Sequence, residues 1–197
     1  MTEDRKWDRK LGIRTGGRDA SLGDEHHLPY EPTPYAVLER LAASGRIGGE
    51  NLLLDYGCGK GRVSLFLCRA VGCRTMGIDF NPAMTEEAER NRLAMGVGER
   101  VRFLTENAAR FTPPAVADCF YFFNPFSLET LQSCLARIAQ SRYDAPRPVR
   151  LFFYYPSDDY LRFLMNEDGL TLKDEISVAD LFPGDRRERL LCFSAEE

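Results

Sequence analysis

The sequence is poor in residues that usually advertise chemistry. In 197 residues it has two histidines and one tryptophan, and its six cysteines include no C-x-x-C pair. His26 and His27 are adjacent and far from any group of cysteines, so a zinc site is disfavoured and no metal-ligand set is expected. The cysteines stand mostly in apolar runs, and the charged start Met1–Lys6 does not read as a signal peptide. A disulfide framework is therefore not expected, and a reducing, cytoplasmic setting is. No apolar run approaches the length needed to cross a bilayer, so no membrane contact is expected. Basic residues are not in excess: 26 Lys and Arg against 30 Asp and Glu leave a net charge of −4, which argues against non-specific coating of nucleic acid. The runs Arg137, Arg142, Arg147, Arg150 and Arg186, Arg187, Arg189 leave room for a local basic patch, with solvated faces the plainer reading.

What is present is enough apolar residue, 44% of the chain, to build one domain with a sizeable core. Residues 1–30 are charged and glycine-rich with little apolar pattern, and are expected to form an arm or lid ahead of a domain over 31–197. Thr33 is the expected N-cap and Pro34 the first residue of a helix whose inner face carries Tyr35, Leu38 and Leu41. Strands are expected at 51–55, 74–78, 101–104, 118–123, 149–155, 171–178 and 188–194. Between them, Asn81, Ser127 and Ser157 read as helix caps. Continuous apolar strands alternating with helices imply an α/β fold: a doubly wound, mostly parallel, seven-stranded sheet with helices on both faces and an antiparallel C-terminal hairpin.

The most informative stretch is Asp55-Tyr56-Gly57-Cys58-Gly59-Lys60-Gly61, directly after the apolar run Leu52–Leu54. A strand ending in an acid leads into a glycine-rich turn and then a helix. Such a turn lets backbone pass close to a ligand and points helix N-terminal amides at it. The spacing D-x-G-x-G-x-G is not the dinucleotide fingerprint, whose third glycine comes one residue later. Asp79, 24 residues beyond Asp55, ends the second strand, where a carboxylate can accept from both hydroxyls of a ribose.

These residues resemble motif I and its following acid in the class I, Rossmann-like methyltransferases that use S-adenosylmethionine (SAM), and the resemblance covers about residues 33–194. It implies a cofactor site of Asp55, Tyr56, Gly57, Cys58, Gly59, Gly61 and Asp79, with Phe80 packing on adenine and Asn107 and Ala108 holding its amino group. Asp55 would offset the positive charge of the sulfonium and ammonium groups. S-Adenosylhomocysteine would be the product. Tyr30-Glu31-Pro32-Thr33-Pro34-Tyr35 is similar to the segment ahead of motif I in some seven-strand protein-lysine methyltransferases, which implies that Tyr30, Thr33 and Tyr35 close over the cofactor. An ordinary proline-started helix is the competing reading.

Asn124-Pro125-Phe126 follows the fourth strand, at the sheet edge where ligands of open α/β sheets bind. It resembles the (D/N)-P-P-(Y/F) motif of methyltransferases acting on planar amino groups. There the Asn oxygen and the proline carbonyl accept from the amine and the aromatic ring stacks on the target. Here the second proline is missing, so the aromatic comes one position early. Phe153-Tyr154-Tyr155-Pro156 offers an aromatic wall nearby, or simply a buried strand end. The implied activity is N-methylation of an unidentified acceptor, a small molecule or a short protein epitope. A non-catalytic SAM-binding protein and a nucleic-acid methyltransferase remain as alternatives.

Overall fold

A computed structural model describes residues 2–17 and 30–195. His26, His27 and the rest of segment 18–29 lie outside the described residues. The strands are β1 (Leu52–Tyr56), β2 (Arg74–Asp79), β3 (Val101–Thr105), β4 (Cys119–Phe122), β5 (Val149–Tyr154), β6 (Thr171–Ile176) and β7 (Leu190–Ala195). They form one seven-stranded sheet in the order β3-β2-β1-β4-β5-β7-β6. Every pairing from β3 to β5 is parallel, and β7 runs antiparallel to both β5 and β6. This is the expected Rossmann-like sheet with its antiparallel C-terminal pair. The order reverses between β1 and β4, so the switch point opens at the carboxyl ends of those two strands.

Two cores cover the sheet. One face carries Leu53, Cys119, Tyr121, Phe152 and Tyr154 against α1 (Glu3–Leu11), α2 (Tyr35–Ala43) and α3 (Arg62–Val71). The other carries Leu54, Tyr56, Phe120, Phe122 and Phe153 against α5 (Leu128–Asp144) and α6 (Asp158–Leu164). The fourth helix, α4 (Pro82–Met95), lies against β2 and β3. Asn81, Ser127 and Ser157 cap α4, α5 and α6 as expected, each side chain accepting from a backbone amide in the first turn. All six cysteines are buried thiols. No described helix is long and apolar enough to cross a membrane.

The structure departs from expectation at two places near the N-terminus. Thr33 does not cap α2. The cap is Pro34, and the Thr33 hydroxyl instead meets the Tyr121 hydroxyl at 3.0 Å, a buried pair worth more than one exposed helix amide. Residues 3–17, expected to be arm or lid, are a docked part of the domain. Helix α1 stacks Trp7 on Tyr35 and sets it edge-on to Phe66, with centroids 5.7 and 5.2 Å apart, and buries Leu11. Beyond its C-cap Gly12, Ile13 and Thr15 are also buried. The Asp8 carboxylate accepts from the Thr15 amide and hydroxyl and from the Tyr35 hydroxyl. The Asn91 side chain of α4 accepts from the Arg14 amide and donates to the Arg14 carbonyl.

Arg62, the first residue of α3, ties these pieces together. Its side chain is 2% exposed. It donates to the Asp4 carboxylate at 2.5 Å, the Thr33 carbonyl at 3.0 Å and the Thr15 hydroxyl at 2.7 Å, and lies 4.4 Å from the Tyr35 ring centre. Arg62→Ala takes the guanidinium away from all of these groups at once. We expect it to cost about 3 kcal/mol in urea unfolding and to red-shift the emission of Trp7, the sole tryptophan. An unchanged spectrum and midpoint would show that α1 docks through its apolar face alone.

Candidate functional site

The glycine turn leaves β1 at its carboxyl end. Gly57, Gly59 and Gly61 all have left-handed backbone, with φ of 73°, 51° and 82°. A Cβ on Gly57 would come within 2.6 Å of Pro125, one on Gly59 within 2.1 Å of the Tyr30 ring, and one on Gly61 within 2.5 Å of Phe103. Only glycine satisfies both the dihedral and the space at these three positions. The turn is anchored from β2: the Ile78 carbonyl accepts from the Gly57 and Cys58 amides, and Asp79 Oδ2 accepts from the Gly59 amide at 2.9 Å.

The two strand-end acids sit in different environments. Asp79 accepts from the Asn81 amide with its other oxygen, so its carboxylate braces both the glycine turn and the start of α4. Asp55 is buried, and its carboxylate accepts from the Ser64 hydroxyl at 2.9 Å. Burial, helped by the negative charge of Asp79, pushes its pKa up to about 7, against the hydrogen bonds from Ser64. No cation is paired with Asp55 among the described residues. A small cavity separates the turn from segment 30–33, lined by Tyr30, Thr33, Asp55, Gly57, Tyr121 and Phe123 among others.

The remaining expected site residues fall into two groups. Tyr30, Thr33 and Pro125 gather around the turn, with Asn124 next to Pro125 in the chain. The Tyr30 ring lies on Gly59 while its hydroxyl donates to the Thr15 carbonyl at 2.6 Å, and burial raises its pKa far beyond the usual phenol range. Asn124 is half-buried with φ 40°, a left-handed conformation that Asn tolerates better than most residues. Phe80, Asn107 and Ala108 lie beyond the ends of β2 and β3. Phe80 is 40% exposed, and the Asn107 side chain accepts from the Ala109 amide, closing a local turn. Tyr56, Cys58, Tyr35 and Phe126 are buried. Tyr56 stacks on Phe122 at 4.8 Å on the face away from Asp55. Tyr35 faces Asp8 and Arg62 rather than the turn, and Phe126 packs edge-on against Tyr56 and Phe122, which leaves neither ring facing the cavity.

Arg62 was the residue the motif did not single out. Its signal was position: a cation at a helix N-terminus opposes the macrodipole and needs a specific partner. Three of the four arginines of the first run turn inward, whereas Arg186 and Arg187 of the second are exposed. Arg147 donates to the carbonyls of Ala117, Ser141 and Ala145, Arg137 to that of Ala109, and Arg150 to that of Arg46.

Residues 53–142 match the family model described as a methyltransferase domain. The chain carries the class I, Rossmann-like methyltransferase fold. A solved RNA methyltransferase from Salinibacter ruber, in complex with S-adenosyl-L-homocysteine, superposes with a TM-score of 0.61 at 20% identity, covering 85% of this chain and 95% of that one. A SAM-dependent methyltransferase from Thiobacillus denitrificans, in complex with the same ligand, gives 0.58 at 18% identity over 98% of both chains. Among curated proteins, a protein-lysine N-methyltransferase of Saccharolobus islandicus is 28% identical over 82 residues, 41% of this chain and 51% of the relative. The chain thus spans about half the length of that relative.

Asp55 gives a pH-dependent test of the site. An acid whose folded pKa is raised from 3.8 to about 7 holds its proton in the fold, so its contribution to stability falls as pH rises between those values. Asp55→Asn removes that loss. The variant is expected to gain about 4 kcal/mol relative to wild type between pH 4 and pH 8 in urea unfolding. A difference that does not vary with pH would mean that Asp55 is not the titrating acid.

Proposed function

We propose that the protein is a SAM-dependent methyltransferase acting on an amino nitrogen. The observation that carries this reading is the glycine turn itself: three left-handed glycines between a buried acid at the end of β1 and a second acid at the end of β2. A phosphate-binding turn has no use for a buried carboxylate beside it. A ligand with a sulfonium and an ammonium does, because its charge supplies the missing cation. Asp79 is placed to take ribose hydroxyls while continuing to hold the Gly59 amide, and the turn lets the ligand's tail approach the backbone. Bound there, SAM would supply a methyl group on an excellent leaving group, so positioning and exclusion of water are the protein's main tasks. Pro125, pressed against Gly57, would stand beside that point, and the preceding Asn124 could accept a hydrogen bond from an amine while charge develops on its nitrogen. The name of the Saccharolobus relative supports an amine acceptor; that of the Salinibacter structure keeps RNA in view.

A second reading, a SAM-binding protein without catalysis, is favoured by one observation: the Tyr30 ring already covers Gly59. Turnover separates the two.

Calorimetric titration with SAM and S-adenosylhomocysteine is the first test. Micromolar binding is expected, weakened at least about tenfold in Asp79→Ala. Asn124→Ala is expected to slow transfer about a hundredfold with little change in SAM affinity. Because the cation draws Asp55 into its ionised form, SAM affinity should rise about tenfold between pH 6 and pH 8, with proton release on binding. Folded protein that binds neither ligand would end the methyltransferase reading. Binding without transfer to any acceptor would favour the second.

A further inference from the structure

On the reading just given, the cofactor lies over β1 and β2, and the acceptor must approach over β4 and β5. The residues at the carboxyl ends of those two strands were not all legible as a group. Phe123, just past β4, lines the cavity together with Glu31. Its ring sits 4.7 Å from that of Tyr154 at the end of β5 and 6.3 Å from Tyr155. The buried Tyr154 hydroxyl donates at 2.5 Å to Glu188, which enters this corner from the segment leading into β7. Register places it there: Tyr154 pairs with Leu190, and the Tyr155 amide donates to the Arg189 carbonyl. On the same face of the sheet, the Tyr121 hydroxyl feels the charges of both Asp55 and Glu188, so one polar seam joins the cofactor acid to this glutamate.

We infer that Glu188, held by Tyr154 beside the Phe123 and Tyr155 rings, is the carboxylate that receives the acceptor, and that the acceptor is a protonated alkylamine.

Half-burial and the neighbouring charges of Asp185 and Glu31 raise the Glu188 carboxyl above the usual range, against the Tyr154 hydrogen bond. The charged groups around it are all accounted for. Asp185 accepts from the Tyr155 hydroxyl, Arg187 lies over the outer Tyr155 ring at 4.2 Å, and Arg189 is taken by Glu175. None of these cations is ion-paired with Glu188, and the aromatic rings beside it suit a cation further. An alkylammonium supplies the missing charge. It must also lose a proton before its nitrogen can attack. Glu188 takes that proton. The freed lone pair then forms the N–C bond to the SAM methyl while the C–S bond breaks with its electrons onto sulfur, leaving an N-methylated ammonium and S-adenosylhomocysteine. A carboxylate with a raised pKa is better matched to this transfer than an ordinary one.

The test pairs SAM calorimetry with S-adenosylhomocysteine release. The acceptor probes are n-butylamine, cadaverine and α-N-acetyl-lysine amide, each set against its matching alcohol from pH 6 to pH 9. Amines should be turned over and alcohols not. Glu188→Gln should lower kcat/KM for amines about a hundredfold and remove the acidic limb of the profile, with Glu188→Asp restoring part of it and SAM affinity unchanged in both. If Glu188→Gln does not fold, Tyr154→Phe should shift the same limb. A wild-type rate and profile in Glu188→Gln, preference for the alcohols, or SAM binding with no amine turned over would overturn the inference and leave the methyltransferase reading standing. Failure of SAM to bind would remove that reading itself.

Discussion

The buried guanidinium of Arg62 is the constraint on which the ligand end of this molecule depends. Taking an arginine to 2% exposure is costly unless its donors are met. Here they are met by three separate pieces of chain: Asp4 on α1, Thr15 beyond it, and the carbonyl of Thr33 just before α2. Since Arg62 directly follows Gly61, satisfying its charge pins each piece to the glycine turn. The desolvation cost is what makes the arrangement specific. A solvated lysine could point anywhere, whereas this fork has one way to keep its partners. Asp8, gathering Thr15 and Tyr35, repeats the device one helical turn away.

That dependence also explains what the sequence did and did not disclose. Strands and caps were legible because their causes are local: apolar runs for β1, β4 and β5, and side chains such as Asn81, Ser127 and Ser157 one turn ahead of their amides. The glycine turn was legible because spacing, dihedral and close contact all require glycine at 57, 59 and 61. Helix α1 was missed because its anchors are long-range. Its composition is charged, and its inner face is made of Asp4, Trp7, Asp8 and Leu11, two of them carboxylates whose partners Arg62 and Tyr35 lie 58 and 27 residues away. The pattern i, i+3, i+4, i+7 was present with acids standing where apolar residues are usually counted, and Gly12 ended it in the left-handed conformation that closes many helices.

Tyr35 and Phe126 show a different limit. Both stand in segments whose resemblance to known motifs implies a ligand-facing aromatic, yet both rings turn into the core. Phe126 does so because the chain has one proline where the similar motif has two. Register decides the face, and with the ring one position early it packs edge-on against the stacked Tyr56 and Phe122 pair instead of standing over the edge. The aromatic place at the sheet edge is then held by Phe123 and Tyr155, whose rings meet edge-on.

Tyr155 carries that role at a conformational cost. With φ at 51° it is, with Asn124, one of two non-glycine residues among those described with left-handed backbone. For an aromatic this conformation is unfavourable by about 1–2 kcal/mol. The two residues end β4 and β5, adjacent strands beside the switch point, and elsewhere in the described chain the left-handed positions are glycines. Relaxing either strand end would be simple in sequence terms, since a glycine would suffice. Neither has one. At Tyr155 the strained dihedral turns the ring away from the period-two alternation that sends Phe153 and Tyr154 to opposite faces, and sets it edge-on to Phe123 with its hydroxyl on Asp185. The strain thus resides at the carboxyl ends of β4 and β5, on the sheet edge where the acceptor is proposed to approach.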